Sequence, residues 1–152
     1  MNQQVRNPFS SAWLRYPAEQ RPAYERFCQT DNPSPLDSSP FPRRVDMWFA
    51  ALSIAARNGL SPVDLSTHKT VAFVEGEIFD RDPWRIRALI LVALSVEGAI
   101  DVVDDPPRMM SIANGLAAAG TPLIVRMLSE GEDRQIWNLS EAMQELLNGE
   151  LA

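Results

Sequence analysis

The run Asp82-Pro-Trp-Arg-Ile-Arg-Ala-Leu-Ile-Leu-Val-Ala-Leu-Ser-Val-Glu-Gly98 constrains what this chain can fold into more than any other stretch. Asp82 suits a helix N-cap, Pro83 the first helical position, and Gly98 the residue just past the last turn. Between them Ile86, Leu89, Ile90, Leu91, Val92, Ala93, Leu94 and Val96 wrap almost the whole circumference. A helix apolar on nearly every side has to be surrounded by protein or lipid. At roughly 15 residues it falls short of the ~20 that cross a bilayer, and two arginines sit in its first turn. The expectation is a central core helix, with the other helices packed around it.

Those other helices are legible from spacing. From Arg43 to Asn58, Val45, Trp48, Phe49, Leu52, Ala55 and Ala56 recur at three and four, and Asn58-Gly59 ends the run. Asp105 before Pro106-Pro107 starts a helix predicted to stop at Gly120, and Thr121-Pro122 starts the next, with Leu123, Ile124, Met127 and Leu128 inward. After the polar break Ser129-Glu-Gly-Glu-Asp, Ser140 is the expected cap of a last helix over 141–148. Thr70-Val-Ala-Phe-Val is β-branched and aromatic, and Glu75-Gly76 could turn it back as a small β-hairpin over 70–79. An extended loop burying Phe73 and Phe79 is the alternative. The predicted fold class is mainly α: an antiparallel bundle of about five helices over 42–150.

Residues 1–41 read differently. Phe9, Trp13, Leu14 and Tyr16 lie in a stretch too short to fold alone, and Tyr24 and Phe27 sit on one side of a short helix after Pro22. Asp31-Asn-Pro-Ser-Pro-Leu-Asp-Ser-Ser-Pro-Phe-Pro42 forbids regular structure and reads as a linker or a strap. This is an N-terminal arm whose aromatics dock either on the chain's own core or on a partner. Phe9, Trp13, Leu14, Tyr16, Tyr24 and Phe27 are the candidate partner-binding set.

The net charge of -6 argues against a dominant nucleic-acid footprint. The charge is uneven. Residues 1–60 carry seven Arg against five acids, and residues 61–152 carry seven Lys+Arg against fifteen acids. Arg43 and Arg44 open one predicted helix, and Arg81, Arg85 and Arg87 flank the start of the core helix. If the two N-termini meet, these five could form a patch for phosphate or an acidic partner; salt bridges to the acids are the alternative.

One cysteine excludes an internal disulfide, and one histidine with one cysteine leaves a zinc site without enough ligands. Asp101, Asp104 and Asp105 read as a helix start plus solvated charge. Glu75, Glu77, Asp80 and Asp82 lack the Glu-x-Lys of restriction-type nucleases. His68 has no nucleophile pattern near it, and Gly-x-Ser-x-Gly and phosphate-cradling glycine loops are absent. No apolar leader and no window able to span a membrane is visible, which points to a cytoplasmic protein with no cofactor and no membrane partner.

The order of pieces from 41 to 130 resembles a family of small proteins encoded beside DNA phosphorothioation (dnd-type) defence genes. The stretches that carry it are Asp46-Met-Trp-Phe-Ala-Ala-Leu-Ser-Ile-Ala-Ala-Arg-Asn-Gly59, Arg87-Ala-Leu-Ile-Leu-Val-Ala-Leu94 and Ile112-Ala-Asn-Gly-Leu-Ala-Ala-Ala-Gly120. The chain departs from the family pattern where Leu52-Ser53 stands for Leu-Gly. It departs again where Asn114-Gly-Leu-Ala-Ala-Ala-Gly120 replaces a segment bearing Glu and Tyr. The resemblance implies a bacterial anti-phage or DNA-modification setting, carries no catalytic residue onto this chain, and makes it an accessory subunit. The first expectation is therefore a non-enzymatic subunit binding a larger protein such as a nuclease, ATPase or modification enzyme, with homo-oligomerisation open and nucleic acid met only indirectly. The alternative is a small DNA-binding regulator, with Met109 to Leu128 as a helix-turn-helix. A metal-dependent hydrolase ranks third.

Overall fold

A computed structural model describes residues 6–29, 38–130 and 134–149. Asp31–Asp37 of the Pro/Ser-rich strap and Gly131–Asp133 of the polar break lie outside the described residues. The elements are β1 (Trp13–Pro17), α1 (Arg21–Phe27), α2 (Arg44–Arg57), β2 (Thr70–Glu75), α3 (Pro83–Glu97), α4 (Pro106–Ser129) and α5 (Gln135–Leu147), with four short 3-10 segments between them. The mainly α class holds, with one two-stranded antiparallel sheet.

The helix at the centre is α4, not α3. Met109, Met110, Ile112, Ala113, Leu116, Ala117, Gly120, Thr121, Ile124 and Leu128 are all buried. Around α4 pack α2, α5, α3 and β1. Small residues make this possible. Ala113, Ala117 and Gly120 leave room for α2 to lie close, so α4 is enclosed by backbone as well as by side chains. In α3 only Ile86, Leu89 and Ala93 are buried. The apolar circumference of 83–97 was therefore a poor guide to enclosure: bulky Leu, Ile and Val tolerate the surface, whereas close approach needs Ala and Gly.

The predicted break at Gly120-Thr-Pro does not occur, and α4 runs through it with Pro122 inside. Two side-chain hydrogen bonds flank the proline, and the second replaces the backbone bond it removes. The Thr121 hydroxyl donates to the Ala117 carbonyl at 2.7 Å. Pro122 has no N–H for the Ala118 carbonyl four residues back, and the Gln20 side-chain amide donates to that carbonyl instead at 2.9 Å. Gln20→Ala is therefore expected to cost about 1 kcal/mol in urea melts. In a Pro122→Ala background, where the backbone donor returns, the same change should cost almost nothing. Read as one 24-residue helix, α4 is long and apolar enough to cross a membrane by length and composition. This overturns the expectation that no such window exists; 67% of that window is buried inside the fold.

The N-terminal segment is part of the domain rather than a detached arm. β1 pairs with β2, so the strand expected at 70–74 finds its partner about 57 residues upstream instead of folding back at Glu75-Gly76. Gly76–Arg81 is a 3-10 segment. The register skips Phe73: Leu14 lies opposite Val74 and Arg15 opposite Ala72. Phe73 is thereby free to join Tyr16 and Tyr24, whose rings stack at 4.3 Å. Asn114 on α4 holds the other side of β1. Its Oδ1 accepts from the Arg15 N–H at 2.8 Å, and its amide donates to the Trp13 carbonyl at 3.2 Å. At the start of the described chain, the Asn7 amide donates to the Gly76 carbonyl and to Asp80, and Phe9 is fully buried against this turn.

Candidate protein-docking faces and the arginine cluster

The six residues singled out as partner-binding separate into two groups. Phe9, Leu14, Tyr16, Tyr24 and Phe27 are buried in the common core. As folded, they have no surface to offer a partner, which corrects their assignment as a docking set. Of the two destinations left open, own core or partner, the structure gives these five the first. Burial also pushes the Tyr24 phenol well above its ordinary pKa, partly offset by its hydrogen bond with Thr121, so it stays neutral. Trp13 alone is exposed.

The two arginine-bearing helix starts do meet, and an acid sits between them. Asp46, in the first turn of α2, accepts from the backbone N–H of Arg43 at 3.0 Å and from its guanidinium at 3.2 and 3.3 Å. Arg85 of α3 reaches the same carboxylate at 2.9 Å. Arg43 also lies 3.8 Å from Asp82. Arg44 turns away, donates to the Tyr16 hydroxyl at 2.7 Å and covers that ring. The cluster is an internal staple joining α2 to α3 and β1, so it does not present five free guanidiniums to a phosphate. The pairing acids are Asp46, from the arginine-rich half of the chain, and Asp82, from the acid-rich half. Arg81 and Arg87 are exposed and make no ion pair among the described residues.

Burial alone would raise the Asp46 carboxyl; the hydrogen bonds and charges of Arg43 and Arg85 outweigh it and hold it below its ordinary value. A depressed folded pKa gives stability that is present above the unfolded value, about 3.9, and is lost as pH falls through the folded one. Asp46→Asn should therefore cost about 2 kcal/mol at neutral pH. The gap between the two proteins' melting curves should close as the pH drops below about 4.

Other chemistry-bearing residues have local structural roles. Asp105 caps α4 by accepting from the Arg108 N–H. Arg108 also pairs with Glu97 at the end of α3. Asp64 caps the 3-10 turn Leu65–Thr67 through Ser66, which lowers its pKa. His68 faces Glu19 on the surface at 4.0 Å. Among the described residues, no three His, Cys, Asp or Glu side chains converge as a metal site.

What remains distinctive is apolar surface, and it falls on two faces. On the outer side of α3, Trp84 is 55% exposed and Leu91 65%, with Val96 beside them and Ile100 at 82% just beyond the helix. Trp84 is held in place, edge-on to Phe49 at 5.3 Å and beneath the Arg85 guanidinium. A cleft of about 410 Å³ runs beside this face between Leu91, Val92 and Val96 and the Gly59–Pro62 turn. The second face is α5. It begins at Gln135, five residues before the expected cap at Ser140. It rests mainly on α4, with Asn138 its one buried residue among those described. Trp137 is 61% and Leu147 70% exposed, while Ile136, Leu139, Met143 and Leu146 are only half-covered. Sequence reasoning missed Trp137 because it placed the residue before the helix, where its position on a helix face cannot be read.

Comparison with protein-family models, with curated proteins and with solved structures finds no match to this chain.

Proposed function

We propose that this chain is a non-enzymatic accessory subunit that docks on a larger protein through α5. The observation that carries the reading is the state of α5. It is an amphipathic helix with its apolar positions half-covered and with Trp137 and Leu147 in solvent. A helix in this state gains burial when a partner completes its packing. The cleft between α4 and α5 is lined by Met127, Asn138 and Ala142 together with Glu130, Glu141 and Glu145, with Arg126 the one base among its lining residues. An apolar helix with Lys or Arg on its flanks fits that lining by charge. Such a subunit works in the cytoplasm without a cofactor. The setting of an anti-phage or DNA-modification system is supplied by the resemblance of residues 41–130 to the phosphorothioation-associated proteins. The regulator reading loses its basis, because Met109 to Leu128 is one unbroken helix with no turn to set a recognition helix against DNA.

The test is affinity capture by the full chain from lysate of its source, alongside Trp137→Glu. The expected result is one stoichiometric protein larger than this 17.0 kDa chain, retained by wild type and lost at least tenfold from the variant. The variant should melt within about 0.5 kcal/mol of wild type, because the side chain it replaces is mostly in water. A partner held equally by both proteins would overturn the assignment to α5. Recovery of nucleic acid alone would overturn the subunit reading.

A further inference from the structure

The outer face of α3 is separate from α5 and calls for its own occupant. Trp84, Ala88, Leu91 and Ser95 are spaced four, three and four residues apart, so they line one side of the helix, with Leu91 near its middle. Ala88 and Ser95 are small, which lets another helix come close. Charge is divided between the two ends. The N-terminal end carries the exposed Arg81 and Arg87. The C-terminal end carries the exposed Asp101 and Asp104, while Glu97 is neutralised by Arg108. A face that is basic at one end, apolar in the middle and acidic at the other is complementary to itself when turned end for end.

We propose that a second copy of this chain packs on this face, α3 against α3 and antiparallel, about a two-fold axis at Leu91. In such a pair, residues equally far from Leu91 on either side face each other. Trp84 then meets Gly98, each seven residues from the axis, where no side chain opposes the indole. Arg81 and Asp101, each ten residues from it and just beyond the two ends of α3, come to the same end of the pair, and Arg87 lies beside Ser95 of the second copy. Leu91 packs on its own symmetry mate, and Val96 and Ile100 extend the apolar contact at both ends. A parallel pair would set Arg81 on Arg81 and Asp101 on Asp101, so charge selects the antiparallel arrangement. One 15-residue helix per copy buries less than the ~800 Å² per partner of a standard interface, which sets the expected dissociation constant in the micromolar range.

The experiment is sedimentation equilibrium on the full chain from about 1 to about 300 µM, a range that brackets such a dimer. Wild type should move from 17.0 kDa to twice that mass across the range. Leu91→Glu, which puts two carboxylates on the axis, should stay monomeric while keeping its melting temperature. Arg81→Asp and Asp101→Arg should each weaken the dimer several-fold, and the double exchange should restore it. A monomer throughout, a dimer indifferent to Leu91→Glu, or a double exchange no tighter than the single variants would each overturn the proposal. Capture of the larger protein through α5 is read independently of this result, so either proposal can fail alone.

Discussion

Gly120→Ala is expected to cost about 3 kcal/mol or more, at the upper end of what overpacking does to a core. The reason is the closeness of α2 and α4. A Cβ at Gly120 would stand 1.8 Å from the carbonyl oxygen of Ala51 and 2.6 Å from its carbonyl carbon. Those are backbone atoms in the middle of α2, so no rotamer change relieves the clash. The helices would have to part, which disrupts the packing of α2 on α4. Alanine's better helix propensity, worth about 1 kcal/mol, does not offset this. Gly115→Ala makes a graded comparison. Its Cβ would meet the Val63 carbonyl at 2.6 Å, but that atom belongs to the loop after α2 and has more room to move. Urea melts should rank wild type above Gly115→Ala, and Gly115→Ala above Gly120→Ala. A Gly120→Ala protein as stable as wild type would mean that the two helices are further apart than described.

Asn114→Ala is the second change expected to be severe, at about 2–4 kcal/mol. Asn114 is buried in α4, yet its amide is spent on β1, accepting from Arg15 and donating to Trp13. These two backbone groups face the core rather than β2. Truncation leaves a donor and an acceptor together without partners in a part-buried place. The loss should be concentrated in the sheet. Hydrogen exchange at the Arg15 amide should accelerate far more than exchange in α2, and the Tyr16–Tyr24 stack should loosen with it. Uniform acceleration across the chain would indicate instead that Asn114 stabilises the bundle as a whole.

These two residues also show how far the sequence could be read. Asn114 and Gly120 lay in plain view, inside a run of small and apolar residues. Their roles were hidden because each depends on an element far away in sequence. Local grammar worked where the signal was local. Pro83 and Gly98 bound α3 as expected, the periodicity of 43–58 became α2, Asp105 capped α4, and 70–74 became a strand. It failed where a distant group compensates for a local cost. Pro122 looked like a boundary because the donor that repairs it, Gln20, is about a hundred residues away. β1 gave no signal of its own, since its ladder and its Asn114 bonds come from outside 1–41. The apolar circumference of α3 was read as enclosure, whereas its outer side is surface. That misreading is informative: the side chains that looked like core are the ones left for a second copy.

The docking faces were the least legible part. The aromatics of 9–27 drew attention because they stood in a polar, proline-flanked segment, and the fold absorbs five of those six side chains. Of the exposed tryptophans outside that segment, Trp84 lay inside an apolar run that looked like ordinary core, and Trp137 lay before the expected start of the last helix. Exposure depends on which face the rest of the chain happens to cover, and periodicity alone does not contain that.

Hydrogen–deuterium exchange on the full chain, free and with the captured larger protein, tests the docking claim most directly. α5 rests mainly on α4, so its amides should exchange early in the free chain. The expected result is slowed exchange over 135–147 in the complex, with the core of α4 unchanged because it is protected in both states. Protection confined to residues 7–28, with 135–147 exchanging as in the free chain, would contradict the claim and return the docking role to the N-terminal segment.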